Sequence, residues 1–365
     1  MNRFSRFYKN FDWILLGSAL LLLIFGLAII YSTTFTLAGG SEALQQLLFA
    51  TIGLIGLVII ARIDYRVYTN YSGILYLLSV VMLLATKFLG QKALGATRWI
   101  SIGGFQFQPS ELAKIFMIIV MAKFFAENVE QMNRPKTILL SLVYIGVPIG
   151  LVAWQPDLGT AITFGIIWLS MLLVSNIRKV YIATMGFVGL FSLYPIYSVL
   201  QEYQKQRILT FLDPTADKMG SGWNVNQAII AIGSGQFWGR GLGRGPQSQL
   251  NFVPFKHTDF VFAALAEEMG FVGAFSVILL FGVILYRALR IAQLARDYFG
   301  MFVATGIFSV LFFHIFINIG MNLGIMPVTG IPLPLLSSGG TSVIVTLCML
   351  GILESIHIRY KKIDF

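Results

Sequence analysis

Residues 13–32 read WILLGSALLLLIFGLAIIYS, a run of 20 residues that contains no charged side chain. A helix of about 20 apolar residues spans the hydrocarbon core of a bilayer. Arg3, Arg6 and Lys9 precede the run, as basic residues precede the apolar part of a signal peptide, but that part is only about 7–15 residues long. We therefore interpret residues 13–32 as a transmembrane helix that remains in the mature protein.

Similar apolar segments recur to the end of the chain. The composition agrees with a membrane protein, because 57% of the residues are hydrophobic and 12% are charged, whereas about 25% of the residues of an ordinary soluble domain are charged. The expected fold is an all-α polytopic membrane protein of one domain, residues 1–365. We predict ten transmembrane helices, at Trp13–Ser32, Leu44–Ala61, Tyr71–Phe88, Leu112–Phe125, Ile138–Trp154, Ala161–Val174, Tyr181–Leu200, Asp259–Tyr286, Met301–Gly324 and Thr341–Ile358.

The basic residues indicate the orientation of these helices. With both termini in the cytoplasm, the short outer loops after the first, fifth and ninth spans contain no Lys or Arg, as the positive-inside rule requires. The net charge of +10 is spread between the spans instead of lying on one face. We therefore expect contact with anionic membrane lipids and no nucleic-acid partner.

Two longer connections keep basic residues on the outer side, Lys87–Glu111 and Gln201–Asp259. Connections longer than about 15 residues are usually functional or disordered, and the second is too apolar for disorder. We predict that this extracytoplasmic loop, about residues 201–258, forms a folded cap. Its short interfacial helix would carry Trp223, Val225, Ala228, Ile229 and Ile232 on one face.

A further segment, Pro327–Gly340, is rich in proline, glycine and serine at membrane depth. Irregular backbone at that depth survives only where it is buried in protein or lines a cavity. We therefore expect this segment to lie inside the bundle.

Asp259 is the main candidate for chemistry, because ionisable residues at membrane depth are costly and by default mark functional sites. The alternative is that Thr258 is the N-cap of the eighth span and that the carboxylate of Asp259 only stabilises the helix by interacting with its dipole. That position would lower the pKa of Asp259 and make it a weak base. Glu267 and Glu268 follow about 80° and 180° around the helix, and we interpret them as structural polar residues that pair within the bundle.

Glu111 and Lys114 are spaced i,i+3 at the start of the fourth span, after Pro109 at its first position. The two residues either form an ion pair that holds two helices together, or Lys114 is a cation positioned to bind an anionic headgroup. Arg98 and Trp99 precede them on the outer side. Asp157 lies at a tight outer turn and could serve only as a helix cap.

Several classes of protein lack support in the sequence. Cys348 is the single cysteine, so an intrachain disulfide or an iron–sulfur cluster is excluded, and the three histidines are too far apart to suggest a metal site. Motifs for nucleotide hydrolysis, dinucleotide binding, zinc proteolysis and α/β-hydrolase chemistry are absent.

The outer motifs resemble those of the SEDS proteins (shape, elongation, division and sporulation). The resemblance covers essentially the whole chain and is closer to the elongation members than to the division members. Ser338 departs from it, because the family commonly has Tyr there. The matching segments are Gly95–Trp99, Phe107–Lys114, Gln155–Thr160, Gly245–Leu250, His257–Phe260 with Glu267 and Glu268, and Asn318–Met321 through Pro332–Ser337.

The resemblance implies a peptidoglycan glycosyltransferase that polymerises lipid II outside the cytoplasmic membrane, together with a class B penicillin-binding protein that crosslinks the strands. The residue that the family marks as essential matches Asp259, as a general base for an inverting transfer or as a ligand of a divalent cation, Mg²⁺ or Mn²⁺. The pyrophosphate of the donor would need cations. The candidate substrate-binding residues are Lys114, Glu111, Arg98, Trp99, Asp157, Arg207, Arg240, Arg244, Lys256 and His257.

Two alternatives to this enzyme stay open from sequence. A lipid-linked precursor flippase would suit the charges and prolines within the spans, although no inverted repeat is visible. A non-catalytic scaffold for a transpeptidase would need only the membrane surface of spans eight and nine.

Overall fold

The computed structural model describes residues 10–93, 96–102, 105–213 and 220–360. Arg3, Arg6 and Lys9 lie outside these residues. The helices that match the ten predicted spans are α1 Trp13–Ala38, α2 Ser41–Arg62, α4 Ser72–Leu89, α5 Pro109–Glu127, α6 Pro135–Trp154, α7 Leu158–Val174, α8 Lys179–Val199, α12 Val261–Leu294, α13 Tyr298–Asn322 and α14 Gly340–Ile358. The shorter helices are α3 Val67–Asn70, α9 Glu202–Leu212, α10 Ser221–Gly235 and α11 Pro246–Gln249, and a 3₁₀ turn lies at Val129–Gln131.

Seven of these ten helices are long and apolar enough to cross a bilayer by themselves: α1, α2, α4, α6, α12, α13 and α14. Helix α5 carries too many charges for that criterion, and α7 is 17 residues long. The polytopic helical fold is therefore confirmed, and the count of ten spans stays a prediction.

Helices α13 and α14 form the interior of the bundle. In the most apolar part of each, 72% of the residues are buried, against 22% in α2 and α4, which present large apolar side chains outward. Helix α2 packs closely along α14, where a Cβ at Gly351 would lie 2.8 Å from the carbonyl oxygen of Leu57. Small residues allow such close approach between helices in membranes.

A small antiparallel sheet connects α4 to α5. Strands β1 Gln91–Ala93, β2 Ala96–Ile102 and β3 Phe105–Phe107 pair in the order β1-β2-β3, and Ile100 lies opposite Phe107. The sheet brings Arg98 and Trp99 to the same end of the bundle as the start of α5.

Helices α9, α10 and α11 lie between α8 and α12, which confirms folded structure in the predicted cap. The predicted face of α10 is partly wrong. Ala228 is buried and packs in a small cluster with Val253 and Phe260, but Trp223 and Ile229 are 41% and 44% exposed. Side chains that face outward at a membrane surface can be as apolar as those that face inward, so hydrophobicity did not distinguish the two faces.

Helix α12 is broken at Gly270, whose φ of 66° and ψ of −164° are not helical. The preceding loop satisfies the backbone groups that the break frees. Arg240 and Gly241 donate their N–H groups to the carbonyls of Glu267 and Glu268 at 3.0 and 2.9 Å. Phe271 and Val272 in turn donate to carbonyls of the same loop, so the first part of α12 is fixed to the cap.

The segment between α13 and α14 has no regular structure from Pro327 to Leu333. Ile331 and residues 333–337 are buried. The prediction that this irregular segment lies inside the protein is therefore confirmed.

Candidate functional site

Asp259 lies just before α12, whose N-cap is Phe260. The prediction that Thr258 caps this helix is therefore wrong, since the Thr258 hydroxyl donates to the carbonyl of Phe255 at 3.3 Å instead. The backbone at Asp259 is in a turn, and Phe260 donates its N–H to the same Phe255 carbonyl. Asp259 consequently stands outside the first helical turn, where the dipole would have acted most strongly.

The carboxylate of Asp259 shares a small space with the guanidinium group of Arg98. A Cβ at Gly330 would lie 3.8 Å from Oδ2 of Asp259 and 3.9 Å from Nη1 of Arg98. Gly330 has a φ of 74°, which disfavours any side chain. Both charged groups therefore border the space that a side chain at Gly330 would fill.

Arg98 is oriented by the turn before α7. Its Nη2 donates to the carbonyl of Pro156 at 3.0 Å, and its Nε lies 3.6 Å from Oδ2 of Asp157. Asp157 caps α7, because its carboxylate accepts bonds from the backbone N–H and the hydroxyl of Thr160. The predicted capping role of Asp157 is confirmed, and its second contact holds Arg98.

Arg207 of α9 is the second cation near Asp259. It stacks over the ring of Tyr203 at 5.7 Å and lines a cavity that is open to solvent. The other residues of that cavity are Thr210, Phe211, Val225, Gly324, Met326, Pro327 and Val328. Burial and the neighbouring charge of Arg98 lower the pKa of Arg207.

Burial raises the pKa of Asp259 above its ordinary value, and the charges of Arg207, Arg98 and His257 oppose that rise. This is the opposite of the lowered pKa expected from a helix N-terminus. The reason is that the carboxylate loses solvation without gaining hydrogen bonds, since it accepts none from the described residues. A raised pKa makes Asp259 a stronger base than an ordinary aspartate.

His257 and Trp99 also lie at this end of the molecule. Nε2 of His257 is 3.7 Å from a carboxylate oxygen of Glu42, and both side chains are about one-third exposed. Trp99 lies opposite Gln91 in the sheet and is partly buried next to Arg98 in sequence. The structure therefore gathers Asp259, Arg98, Asp157, Arg207 and His257, with Trp99 adjacent.

Glu111 and Lys114 form the predicted ion pair inside the bundle. Nζ of Lys114 lies 2.8 Å from Glu111 and 3.3 Å from Nε2 of His314 on α13, and the Lys114 side chain is 1% exposed. The pair links α5 to α13. Its predicted contact with substrate stays a prediction.

Glu267 and Glu268 pair with polar neighbours as predicted. The Glu267 carboxylate accepts the backbone N–H groups of Gln247 and Ser248, both at 2.8 Å, at the start of α11. Oε1 of Glu268 accepts bonds from Ser32 and Gln249 at 2.7 and 3.1 Å.

The remaining predicted cations lie near this acidic pair. Lys256 is 3% exposed, donates to the carbonyl of Ser248 and faces both glutamates, while burial lowers its pKa. Arg240 is exposed and donates to the carbonyl of Ser234 at 2.8 Å, and Arg244 is exposed in the glycine-rich turn. The structure brings none of these three residues into contact with Asp259, so their substrate contacts stay predictions.

Sequence reasoning missed Gly330, Asn318 and Asn322 as functional candidates. Asn318 and Asn322 are fully buried on α13, and both donate to the carbonyl of Asp259. The available signal was two amides one helical turn apart in a largely apolar span, since buried polar groups need partners.

The described residues do not build a metal centre around Asp259. They contain no group of three His, Cys, Asp or Glu side chains that could hold a metal ion. Asp259 offers a single carboxylate near the charges of Arg98 and Arg207, so a divalent ion held there would take its other oxygen ligands from water and the substrate phosphates.

These observations define a polytopic helical membrane protein with one acid and its cations assembled at one end of the bundle. The family model for FtsW, RodA and SpoVE, described as "Cell cycle protein", matches residues 12–362. The chain belongs to this family, the SEDS proteins.

Named relatives match over nearly their full length. Peptidoglycan glycosyltransferase MrdB of Escherichia coli (strain K12) is 39% identical, with 94% of this chain and 93% of that protein covered. Stage V sporulation protein E of Bacillus subtilis (strain 168) is 36% identical, with 96% and 98% covered.

Solved structures share the fold. A chain of a peptidoglycan synthase complex, described as coordinating polymerization and crosslinking, matches with a TM-score of 0.82 at 27% identity, covering 95% of this chain and 97% of that one. The rod shape determining protein RodA of Thermus thermophilus matches with a TM-score of 0.70 at 26% identity, covering 95% and 96%.

Proposed function

We propose that the protein is a peptidoglycan glycosyltransferase that polymerises lipid II into glycan strands during cell elongation. The observation that carries this proposal is the carboxylate of Asp259, which lies with Arg98 beside Gly330 and accepts no hydrogen bond from the described residues. A free carboxylate beside two cations suits a reaction in which one sugar loses a proton and another loses a pyrophosphate.

The mechanism assigns Asp259 as the general base. Its carboxylate accepts the proton of the acceptor hydroxyl as that oxygen attacks the anomeric carbon of the donor sugar. The bond from that carbon to the pyrophosphate breaks as the new glycosidic bond forms, and the α-linked donor becomes a β-1,4 linkage. Burial favours the base role, because it raises the pKa of Asp259 toward the working pH.

Arg98 and Arg207 are the cations best placed for the departing pyrophosphate. Arg98 is held by Asp157 and the Pro156 carbonyl, and its Nη1 lies beside Gly330, as does Oδ2 of Asp259. Arg207 lines the open cavity at the same end of the bundle. Charged donors fixed in place stabilise the negative charge that develops on a leaving group.

The site lies on the outer side of the cytoplasmic membrane in this proposal, with both termini in the cytoplasm. A class B penicillin-binding protein is the partner that crosslinks the product. The family membership and the likeness to a chain of a synthase complex support both statements.

The test is polymerisation of lipid II by purified protein in detergent, with and without the partner, read as glycan polymer on a gel. Wild type is expected to make polymer, and Asp259→Ala to make at least about 100-fold less. Equal polymer from both proteins, or none from wild type with its partner, contradicts the proposal. Movement of lipid II across vesicle membranes without polymer would favour the flippase.

Excess chelator in the same assay separates the base from a metal ligand. Activity that is lost in chelator and restored by Mg²⁺ or Mn²⁺ would assign a cation to the substrate pyrophosphate, held with Asp259.

A further inference from the structure

We propose that Asn318 and Asn322 are positioning residues, which fix the backbone at Asp259 and so hold its carboxylate near Arg98. Asn318 and Asn322 lie one turn apart on α13, and both are 0% exposed. Their side-chain amides donate to the same carbonyl oxygen, that of Asp259, at 3.2 and 3.1 Å. A carbonyl oxygen has two lone pairs and can accept both.

Asn322 also replaces the missing helix cap of α12. The N-cap residue, Phe260, has no side-chain acceptor, and the first N–H groups of a helix lack partners within it. Oδ1 of Asn322 accepts the N–H of Ala263 at 3.0 Å. One amide therefore fixes both the carbonyl of the catalytic candidate and the start of the helix that follows it.

The irregular segment before α14 extends this attachment. Asn318 also donates to the carbonyl of Ile331 at 2.8 Å. Ser337 donates its hydroxyl to the carbonyl of Thr258, and Ser338 donates its N–H to that of His257, both at 2.7 Å. The carbonyls of residues 257, 258 and 259 are thus all bound by groups from the C-terminal part of the chain.

This arrangement leaves the side chain of Asp259 directed by its backbone. The carboxylate has no hydrogen-bond donor among the described residues, so the held backbone determines where it points. A displacement of about 1 Å at a reacting group can cost about 100-fold in rate. The inference rests on the proposed role of Asp259, but it concerns residues that do not touch substrate.

Asn322→Asp is the informative variant, because it keeps the side-chain volume and an acceptor for Ala263 but loses the amide donor to the carbonyls of Asp259 and Asn318. We expect kcat per folded protein to fall at least about tenfold, with the KM for lipid II within about twofold of wild type. Asn128→Asp is the matched control. Asn128 donates to the carbonyl of Phe124 at 2.8 Å at the end of α5, and its variant should keep wild-type kcat and KM.

A purely structural role would lower the folded fraction, measured by thermal unfolding, and leave the kcat of the folded protein unchanged. That result, or a wild-type kcat in Asn322→Asp, overturns the inference. A fall in kcat without a matching loss of folded protein supports it.

Hydrogen exchange tests the same attachment without polymerisation. Asn322→Ala should speed amide exchange in the peptide that contains residues 257–263, and Asn128→Ala should not. Unchanged exchange in Asn322→Ala overturns the inference even if wild type makes no polymer. A wild type without polymer, by contrast, defeats the proposed function alone.

Discussion

Asp259, Arg98 and Arg207 come from three distant parts of the chain. In the fold, the charges of the two arginines influence the protonation of Asp259. The carboxylate is destabilised by burial and stabilised by the two guanidinium groups. Its protonation therefore depends on its cationic neighbours, which makes the pH dependence of activity a direct report on the site.

Arg207→Gln removes one of those cations. The positive charge of Arg207 lowers the pKa of Asp259, so its loss should raise that pKa further. A base must be unprotonated to act, and the acidic limb of kcat against pH should therefore move to higher pH. Polymerisation at saturating lipid II across the pH range measures the shift.

Lys205→Gln is the matched control for this variant. Lys205 lies on the same helix, but its ammonium pairs with Glu202 at 3.0 Å, and it is not among the charges that act on Asp259. Its pH profile should coincide with that of wild type. Coincident profiles for wild type and Arg207→Gln would contradict the assignment of Asp259 as the titrating base.

Residue types and spacings in the sequence indicated Asp259, the Glu111–Lys114 pair and the cap at Asp157. They did not indicate which outer cations converge, because that depends on how loops far apart in the chain pack together. The charges of Arg98 and Arg207 act on Asp259, whereas that of Lys256 is balanced by Glu267 and Glu268. The basic residues look alike in sequence, and only their charged neighbours in the fold distinguish them.

At the scale of the element, α12 is a helix that requires its break. Glycine adopts the positive φ of Gly270 without steric cost, whereas other residues rarely do. A Cβ at this position would also overlap the backbone nitrogen of Gly239. The N-terminal part of the helix carries Glu267 and Glu268 and leads back to Asp259. The sequence predicted one continuous span, because a single glycine in an apolar helix is common and does not itself indicate a break.

Gly270→Ala should therefore lower the free energy of unfolding by at least about 2 kcal/mol, from strain and from displacement of the glycine-rich loop. Thermal unfolding in detergent measures the change. Gly282→Ala in the same helix is the control, because a Cβ at Gly282 meets nothing within 4 Å. Its effect should stay within about 1 kcal/mol. Equal stability of the two variants would argue against a required break at Gly270.

Helices α5 and α13 are joined by the buried pair of Glu111 and Lys114, next to His314. Glu111→Gln leaves the ammonium without its counter-charge and should cost about 3–5 kcal/mol of stability. Replacing both residues by Met should recover most of that loss, because an apolar pair of similar volume avoids the desolvation.

The double variant also separates structure from catalysis. Thermal unfolding and polymerisation are measured on the same preparation. Recovered stability together with recovered polymerisation would contradict the predicted substrate contact of Lys114. Recovered stability without activity would support that contact.

At the scale of the whole molecule, hydropathy predicted the order and approximate ends of all ten helices, because apolar length is the dominant constraint in a bilayer. It could not predict the turn before α12. There the side-chain partners lie on α13 and in the segment after it, 63 and 79 residues further along the chain for Asn322 and Ser337. The orientation of the helices in the membrane is predicted only from the distribution of Lys and Arg, and it can be tested separately.

Single cysteines introduced in a Cys348→Ala background test that orientation. Glu202 and Glu130 are both exposed, on the connections after α8 and α5. Glu202→Cys should react with a membrane-impermeant thiol reagent in intact cells, and Glu130→Cys should react after the cells are opened. The reverse pattern would mean that the site faces the cytoplasm.

The attachment of residues 257–259 to α13 and to Ser337 and Ser338 has a consequence for biogenesis. The ribosome makes Asp259 long before it makes the groups that hold it. The nascent chain can place α12 in the membrane without them, but the turn that carries the acid gains its partners only when synthesis has passed Ser338. A chain released after α12 would thus contain every charged residue of the site and still lack the geometry of its acid.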